Sequence, residues 1–194
     1  MARETFASKV TFFPMTESGR YGEAVKLQWC TNLKTKNNYK TGEQKADGTI
    51  EKVTTRLETV DIELGLSSQL PLSIEAKLTG AEYENGLKIV KSTTAPVVGA
   101  LAYEIADDEG NPMRRRVLRN CTLSKDERSN ESESEGEELK FTGKAIADSN
   151  GDVEFELDIK EIGENTANKS LWDSFFTAPI ERPSVSKISE IKSE

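Results

Sequence analysis

The chain has 194 residues, of which 26 are Lys or Arg, 34 are Asp or Glu and none is His, so its formal charge is −8. Without histidine, Ser–His–Asp and Cys–His catalytic sites and histidine-ligated zinc or haem are excluded. Two cysteines are too few for a four-thiolate metal site or a disulfide framework. A pI near 4.9 argues against phosphate-backbone binding by a basic surface.

No stretch approaches the 18 apolar residues or so that a membrane-spanning helix requires. The first eight residues also lack the apolar segment of a secretory signal. We therefore expect a soluble protein made in a cytoplasm, without membrane anchoring. Its two thiols, Cys30 and Cys121, are expected to be reduced, buried and inert.

The negative charge is concentrated in the second half of the chain. Residues 1–97 contain 13 basic and 12 acidic residues, whereas residues 98–194 contain 13 basic and 22 acidic residues. Seven of these acids lie in residues 124–140, where Leu139 is the only apolar residue. This composition predicts a solvated acidic loop over residues 124–138, or else a surface that repels another polyanion.

Apolar and polar residues alternate along several segments, as they do in antiparallel strands with one buried face. Residues 97–105 are apolar on both faces except at Glu104, which predicts a central strand covered on both sides. Asn-Gly and Asp-Gly pairs between the segments predict tight hairpin turns. The sequence therefore predicts a mainly β, α+β fold: a sandwich-like or barrel-like pair of antiparallel sheets.

An amphipathic helix is predicted over residues 68–79, flanking the sheets. Leu70, Ile74 and Leu78 are four apart and form its packing face, Pro71 lies in its first turn, and a glycine follows its end. A second, shorter helix or helical turn is predicted between Glu164 and Phe176. Its cap is expected to be Asn165, and its aromatic residues are expected to dock on a sheet or on a neighbour.

The domain prediction is a single β domain over residues 1–178, followed by a flexible polar tail over residues 179–194. Residues 36–52 stand out within the domain because Tyr39, Ala46 and Ile50 are their only apolar groups. A structureless loop of this length inside a compact domain is usually functional or disordered. The alternative is a hairpin arm that projects from the core and pairs with something outside the chain.

No catalytic motif is present: the chain has no glycine-rich nucleotide loop, nucleophile elbow or EF-hand. Asp148, Asn150 and Asp152 have the spacing of calcium ligands, but Ile159 occupies the position of the bidentate glutamate, so a hairpin turn is predicted instead. The same interpretation applies to residues 107–109.

Charged residues on the strands are interpreted as structural. Glu154, Glu156 and Asp158 are expected on a solvated sheet face, and residues 114–116, three arginines, are expected to be salt-bridged at the end of a strand. The sequence therefore predicts no catalytic residue, no cofactor and no metal, and a structural protein rather than an enzyme.

Six segments, in order, resemble the major tail tube proteins of long-tailed, non-contractile bacteriophages. The resemblance rests on order and spacing and covers most of residues 9–178. The segments are KVTFFPMTESGRYGEAVKL (9–27), ETVDIELGLSSQLPLSIEAKLTGAEYENG (58–86), APVVGALAYEI (95–105), RRRVLRNCTLSKDE (114–127), LKFTGKAIADSNGDVEFELD (139–158) and NKSLWDSFF (168–176). The acidic run at 131–138 and the charged tail after Pro183 depart from the family, which often has shorter versions of both.

The resemblance implies two packed β-sheets flanked by a helix, with six copies in a ring and rings stacked helically into a hollow tube. Such a tube carries double-stranded DNA to the host cell without binding it. An acidic lumen suits that task, because contacts that neutralise phosphates would trap the duplex. The implied location is the virion tail, with the host cytoplasm during assembly, and the implied partners are tape-measure and tail-tip proteins.

In the family a long early loop contacts the adjacent ring, and by position this role falls on residues 36–52. The residues that we expect to make the contact are Lys36, Tyr39, Lys40, Thr41, Gly42, Glu43, Gln44, Lys45, Asp47 and Ile50.

Two alternatives remain open at this stage. One is a monomeric β-sandwich binding or adhesion module, which would need exposed aromatics on one sheet face. Trp29 and Tyr103 are expected on the apolar side of their strands, which leaves Tyr21, Tyr39 and Tyr83 in turns. The other is a related assembly protein, such as a tail terminator or a secretion-type tube protein.

Overall fold

The computed structural model describes residues 6–46, 49–67, 69–126, 138–164 and 166–177. Within them the chain forms ten strands and two helices, which confirms the mainly β fold. Neither of these helices has the length and apolar character needed to cross a membrane. The elements are β1 (Phe6–Pro14), β2 (Val25–Lys26), β3 (Cys30–Ala46), β4 (Thr49–Ser67), α1 (Leu72–Thr79), β5 (Glu82–Glu84), β6 (Leu87–Ile89), β7 (Val98–Ala106), β8 (Pro112–Lys125), β9 (Glu138–Ile146), β10 (Glu154–Asp158) and α2 (Thr166–Ser174).

The strands form two antiparallel sheets, as predicted, but of very different size. The large sheet has eight strands in the order β2-β1-β7-β8-β9-β4-β3, with β10 paired to β8. The small sheet is the β5–β6 ribbon, closed by a tight turn in which Asn85 and Gly86 both have positive φ.

Strand β8 changes partner along one of its edges. Its first half pairs with β10 and its second half pairs with β9, while β7 occupies the other edge from Pro112 to Thr122. Asn120 lies between the two halves with φ of 44°. This local irregularity lets the sheet fork, so that one strand serves two leaves.

The large sheet curls around the main core. Val10 and Phe12 of β1 belong to the same buried cluster as Ile62 and Leu64 of β4, although β1 and β4 lie near opposite ends of the strand order. The sheet must therefore curve until its two ends face one another. This gives the barrel-like interior that the sequence predicted.

A second buried cluster lies on the outer face of the sheet. Strand β7 supplies both clusters: Leu101 points into the main core, whereas Ala100 and Ala102 point outward. The outer residues are covered by α2, which contributes Trp172, and by Phe175 just beyond it. The prediction of a central strand covered on both sides is confirmed.

The helix boundaries differ from those predicted. Pro71 has an extended ψ of 135° and is the N-cap of α1, so the helix begins at Leu72 and is shorter than residues 68–79. It ends at Gly80, whose φ of 71° places it in the left-handed conformation and lets its N–H donate to the carbonyl of Ala76. The second segment forms a true helix, α2, and its expected cap, Asn165, lies outside the described residues.

Gly143 of β9 is a point where only glycine fits between strands. A Cβ there would collide with the carbonyl oxygen of Thr122 and lie 3.0 Å from Leu123 Cδ2. We expect Gly143→Ala to lower the free energy of unfolding by about 1–3 kcal/mol, because the obstructing atom belongs to a paired backbone. Chemical denaturation measures this, with Gly42→Ala as the control because nothing lies within 4 Å of its added Cβ. Equal effects of the two substitutions would contradict the prediction.

Candidate assembly interface

Strands β3 and β4 continue as a two-stranded hairpin beyond the rest of the sheet. The last residue of β4 that pairs with β9 is Thr59, whereas β3–β4 pairing continues from Tyr39↔Leu57 to Ala46↔Thr49. Ten residues separate Thr59 from Thr49, or about 33 Å of extended chain. We call residues 39–57 the arm. The segment interpreted as a long loop or projecting hairpin is thus largely two paired strands.

A β-bulge decides which way the arm's side chains point. The register shifts between Asn38↔Thr59 and Tyr39↔Leu57, so that β4 has one extra residue, Glu58. Leu57 consequently lies on the same side as Val60 and packs partly against the main core. One face of the arm is therefore the continuation of the core-facing side of the sheet, past the point where the core ends.

The arm has two chemically different faces, because directly paired residues point to the same side. The Thr41 and Thr55 hydroxyls lie 3.4 Å apart on one face. This Tyr39/Val53 face comprises Tyr39, Thr41, Glu43, Val53, Thr55 and Leu57. The opposite Lys40/Arg56 face comprises Lys40, Gly42, Lys52, Thr54 and Arg56.

Apolar groups of the Tyr39/Val53 face are open to solvent. The exposed fraction is 60% for Tyr39 and 57% for Val53. A two-stranded hairpin is at best marginally stable alone in water, and exposed apolar groups beyond a protein's core commonly mark a contact surface. The arm is therefore a candidate contact surface.

Some of the predicted contact residues lie in the body of the sheet and others lie in the arm. Lys36 lies in the body, opposite Asp61, while Tyr39, Lys40, Thr41, Gly42 and Glu43 belong to the arm. Gln44, Lys45 and Ile50 are placed in the strands by their backbone pairing, and Asp47 lies outside the described residues. Val53, Thr55 and Arg56 were not among the predicted contact residues but also lie in the arm, and the alternation of Val53, Thr55 and Leu57 was a sequence signal for its second strand.

A groove lies between α1, the β5–β6 ribbon and the end of β8. Its volume is about 870 Å³. We call it the α1–ribbon groove. Exposed apolar groups line it, Leu87 being 60% exposed. The lining residues used below are Leu72, Glu75, Leu87, Lys88, Val90, Lys125 and Asp126.

Helix α1 is held in place by the residues predicted to pack it. Leu78 is fully buried, Leu70 is nearly so, and Ile74 packs partly against the main core. The helix also carries a buried carboxylate, that of Glu75. It accepts hydrogen bonds from Lys88 Nζ at 2.7 Å and Lys125 Nζ at 2.8 Å. This carboxylate joins α1, the ribbon and β8, and so fixes the shape of the groove.

The bridge formed by Glu75 predicts a pH-dependent stability. Burial would raise the pKa of Glu75, but hydrogen bonds and charge from Lys125 and Lys88 lower it below its usual value. Such a carboxylate stabilises the fold above its unfolded pKa, about 4.3, and this stabilisation is lost as the pH falls through the folded pKa.

We therefore expect Glu75→Gln to unfold at lower urea concentration than wild type at pH 7, with the difference closing towards pH 3. Glu82→Gln is the control, because Glu82 and its partner Lys91 are both exposed. A difference that persists unchanged at pH 3 would show that Glu75 does not act through its charge.

The arginines of β8 are ion-paired, as predicted, two of them with carboxylates of β10. Arg116 Nη2 lies 2.6 Å from Glu156, and Arg114 Nε lies 3.0 Å from Asp158. Glu156 is exposed and Asp158 is partly exposed, so these carboxylates lie on the expected solvated face of β10 and are in addition ion-paired. Antiparallel register places them opposite these arginines.

Trp29 and Cys30 differ from expectation. Strand β2 ends at Lys26, and Trp29 has φ of 59°, so the alternation that began at Val25 does not continue. Trp29 is 49% exposed and lines a second groove with Phe176, whereas Tyr103 is buried as expected. Cys30 is partly exposed, while Cys121 is fully buried and burial raises the pKa of its thiol to about 12.

The Asp148 carboxylate accepts hydrogen bonds from its own turn and from Arg119. Asp148 Oδ1 accepts the N–H groups of Asn150 and Asp152 at 2.8 and 3.0 Å, and Oδ2 accepts from Arg119 at 2.9 Å. Asp107 binds the N–H groups of Glu109 and Asn111 in the same manner. Across the described parts of the chain, no three potential ligand residues are grouped as a metal site.

A scan against protein-family models gives no match, and a search of the curated proteins gives no relative. The fold is similar to that of several solved structures. The anti-feeding prophage tube-terminating cap aligns at 10% identity with a TM-score of 0.49, covering 81% of this chain and 95% of that one. A chain of the PVC sheath–tube complex, an extracellular contractile injection system, aligns at 11% identity with a TM-score of 0.48, covering 78% and 89%. The Hcp1 protein from Flavobacterium johnsoniae aligns at 12% identity with a TM-score of 0.38, covering 78% and 99%.

These are likenesses of fold alone, at identities of 12% or less and TM-scores below 0.5. The similar chains come from particles that contain a tube and from an Hcp protein. One is a contractile system, whereas the sequence resemblance is to non-contractile phages. The assignment of roles to residues must therefore come from the chain itself.

Proposed function

We propose that this chain is a self-assembling structural subunit of a tail-type tube. The observation that carries the proposal is the arm, a hairpin that extends beyond the core with apolar groups exposed on one face. Among the described residues, strand β3 is also the last strand in the order of the large sheet. A long open edge invites pairing, and a closed ring of subunits uses such edges in a defined geometry.

The detailed form of the assembly follows the sequence resemblance. Six subunits form a ring, rings stack into a hollow tube, and the arm contacts the adjacent ring. The tube lies in a virion tail, assembles in the host cytoplasm with tape-measure and tail-tip proteins, and lets double-stranded DNA pass. The net charge of −8 supports passage without binding, because like charges repel the phosphates.

The test is assembly as a function of protein concentration. Purified protein is examined by sedimentation and negative-stain electron microscopy from micromolar to millimolar concentration. We expect rings of six-fold symmetry and, at higher concentration, hollow tubes. A chain that remains monomeric throughout, including with a tail initiator complex added, would overturn the proposal.

A second candidate function is a monomeric binding module, favoured by the exposed indole of Trp29 in the groove that it forms with Phe176. Trp29→Ala separates the two: loss of a ligand from a monomer supports the binding module, whereas tubes that form normally without Trp29 support the structural subunit.

A further inference from the structure

The arm and the α1–ribbon groove lie at opposite ends of strand β4. Val53 is in the arm, whereas Leu64 pairs with Phe141, which in turn pairs with Lys125 at the groove. Eleven residues of extended strand separate Val53 from Leu64, about 36 Å. The arm of one molecule therefore cannot reach its own groove, but a second copy displaced along the strand direction can present its groove to the arm.

The two surfaces match in chemistry. The Tyr39/Val53 face offers an exposed phenol ring and an exposed isopropyl group, and the groove offers the exposed side chains of Leu72, Leu87 and Val90. Neither set is covered within the described parts of this chain. Joining them would remove both from water, which is the main driving force for association.

The charges around these surfaces are of both signs. Lys40, Lys52 and Arg56 lie on the other face of the arm. At the groove, Asp126 lines the wall and Glu84 lies at the tip of the ribbon, and both are exposed. The Tyr39/Val53 face itself carries Glu43, and Lys88 and Lys125 line the groove beside Glu75, so the match between the two surfaces rests on their apolar groups.

From these observations we infer that the Tyr39/Val53 face of one copy docks in the α1–ribbon groove of a copy in the next ring. The inference rests on the proposed function and names the receiving surface of the inter-ring contact. The contact is head-to-tail, joining two different surfaces, so each ring retains a free arm at one end and a free groove at the other. Repetition then builds an open stack without a built-in end.

The first test compares three glutamate substitutions at exposed positions. Val53→Glu places a charge on the docking face and Leu87→Glu places one in the groove, whereas Thr54→Glu is the matched control on the opposite arm face. We expect the first two to raise the critical concentration for stacking about tenfold or more, and the control to change it less than about twofold. Circular dichroism and thermal unfolding establish that each variant is folded.

The outcomes separate the inference from the proposed function. If wild type and all three variants stack at the same concentration, the tube stands and the docking site is wrong. If Thr54→Glu is the damaging change, the arm docks through its Lys40/Arg56 face and the inference is overturned. If wild type forms neither rings nor tubes, the proposed function fails, and the inference with it.

A cross-linking experiment tests the contact directly. In a Cys30→Ser background, Val53→Cys protein is mixed with Leu87→Cys protein, allowed to assemble and oxidised. A disulfide between the two different chains, at twice the monomer mass on a non-reducing gel, is expected from this mixture. Thr54→Cys mixed with Leu87→Cys should give several-fold less. Equal yields from the two mixtures would contradict docking by the Tyr39/Val53 face.

Discussion

Replacement of residues 42–54 by an Asn-Gly turn is expected to leave the body of the protein folded and to abolish its stacking into tubes. The cut joins Thr41 to Thr55, which face each other across the hairpin, so a two-residue turn closes the shortened arm. Among the removed residues whose side chains are described, none is buried. The free energy of unfolding should therefore change by less than about 1 kcal/mol.

The measurement is sedimentation and electron microscopy of the shortened chain beside wild type, with urea denaturation of both. Gly42→Ala, which keeps the arm at full length, serves as the control and should assemble like wild type. If the shortened chain forms rings but no tubes, the arm is needed only for stacking. If it forms neither, the arm is also needed for ring closure. A shortened chain that unfolds would mean that the arm supports the body, and tubes of normal length would remove the arm from assembly.

The sequence predicted what depends on local pattern. Alternation identified strands such as β9, where one face is buried, and the spacing of Leu70, Ile74 and Leu78 identified α1. The arm was harder, because both of its faces are exposed. Hydrophobic periodicity then cannot distinguish a paired strand from a loop, and residues 36–52 fit both interpretations.

Features set by distant pairing could not be read from the sequence. The fork at Asn120 exists because β9 and β10 compete for one edge of β8, and nothing near Asn120 specifies that competition. The sequence did not show that Glu156 pairs with Arg116, because the two residues are forty positions apart in the chain. Trp29 continued the apolar–polar alternation of the sequence, but strand β2 ends before it, at Lys26. In each case the tertiary structure determines a feature that the local pattern does not specify.

The candidate interface, too, could be predicted from the sequence only in part. The sequence pointed to residues 36–52, which include the first strand of the arm and Ile50 of the second, but not to residues 53–57 or to the groove. The groove is assembled from α1, the ribbon and β8, which are separated by up to 50 residues in the chain, as between Glu75 and Lys125. Only the fold places the arm at one end of β4 and the α1–ribbon groove at the other.

Helix α2 packs on the sheet through Trp172 and also contacts a buried arginine, Arg115. Arg115 Nη2 lies 2.8 Å from the Glu104 carboxylate, its guanidinium stacks 4.0 Å from the centre of the Trp172 ring, and it donates a hydrogen bond to the Trp172 carbonyl. The side chains of Arg115 and Glu104 are 10% and 4% exposed. Lys9, at 2.8 Å from the same carboxylate, is itself mostly exposed.

Arg115→Ala is therefore expected to lower the free energy of unfolding by about 3–5 kcal/mol, because it leaves the Glu104 charge buried with one exposed partner. Arg114→Ala is the matched control: the neighbouring side chain is 39% exposed and pairs with Glu156 and Asp158 near the surface. Loss of the Arg114 side chain should lower the free energy of unfolding by about 1 kcal/mol or less. Urea denaturation followed by Trp fluorescence reports both, and it also detects release of α2, since Trp172 is one of only two tryptophans in the chain. Equal losses from the two substitutions would show that burial of the Glu104–Arg115 pair does not hold the helix. A much larger loss from Arg115→Ala would show that α2 depends on this pair for its attachment to the sheet.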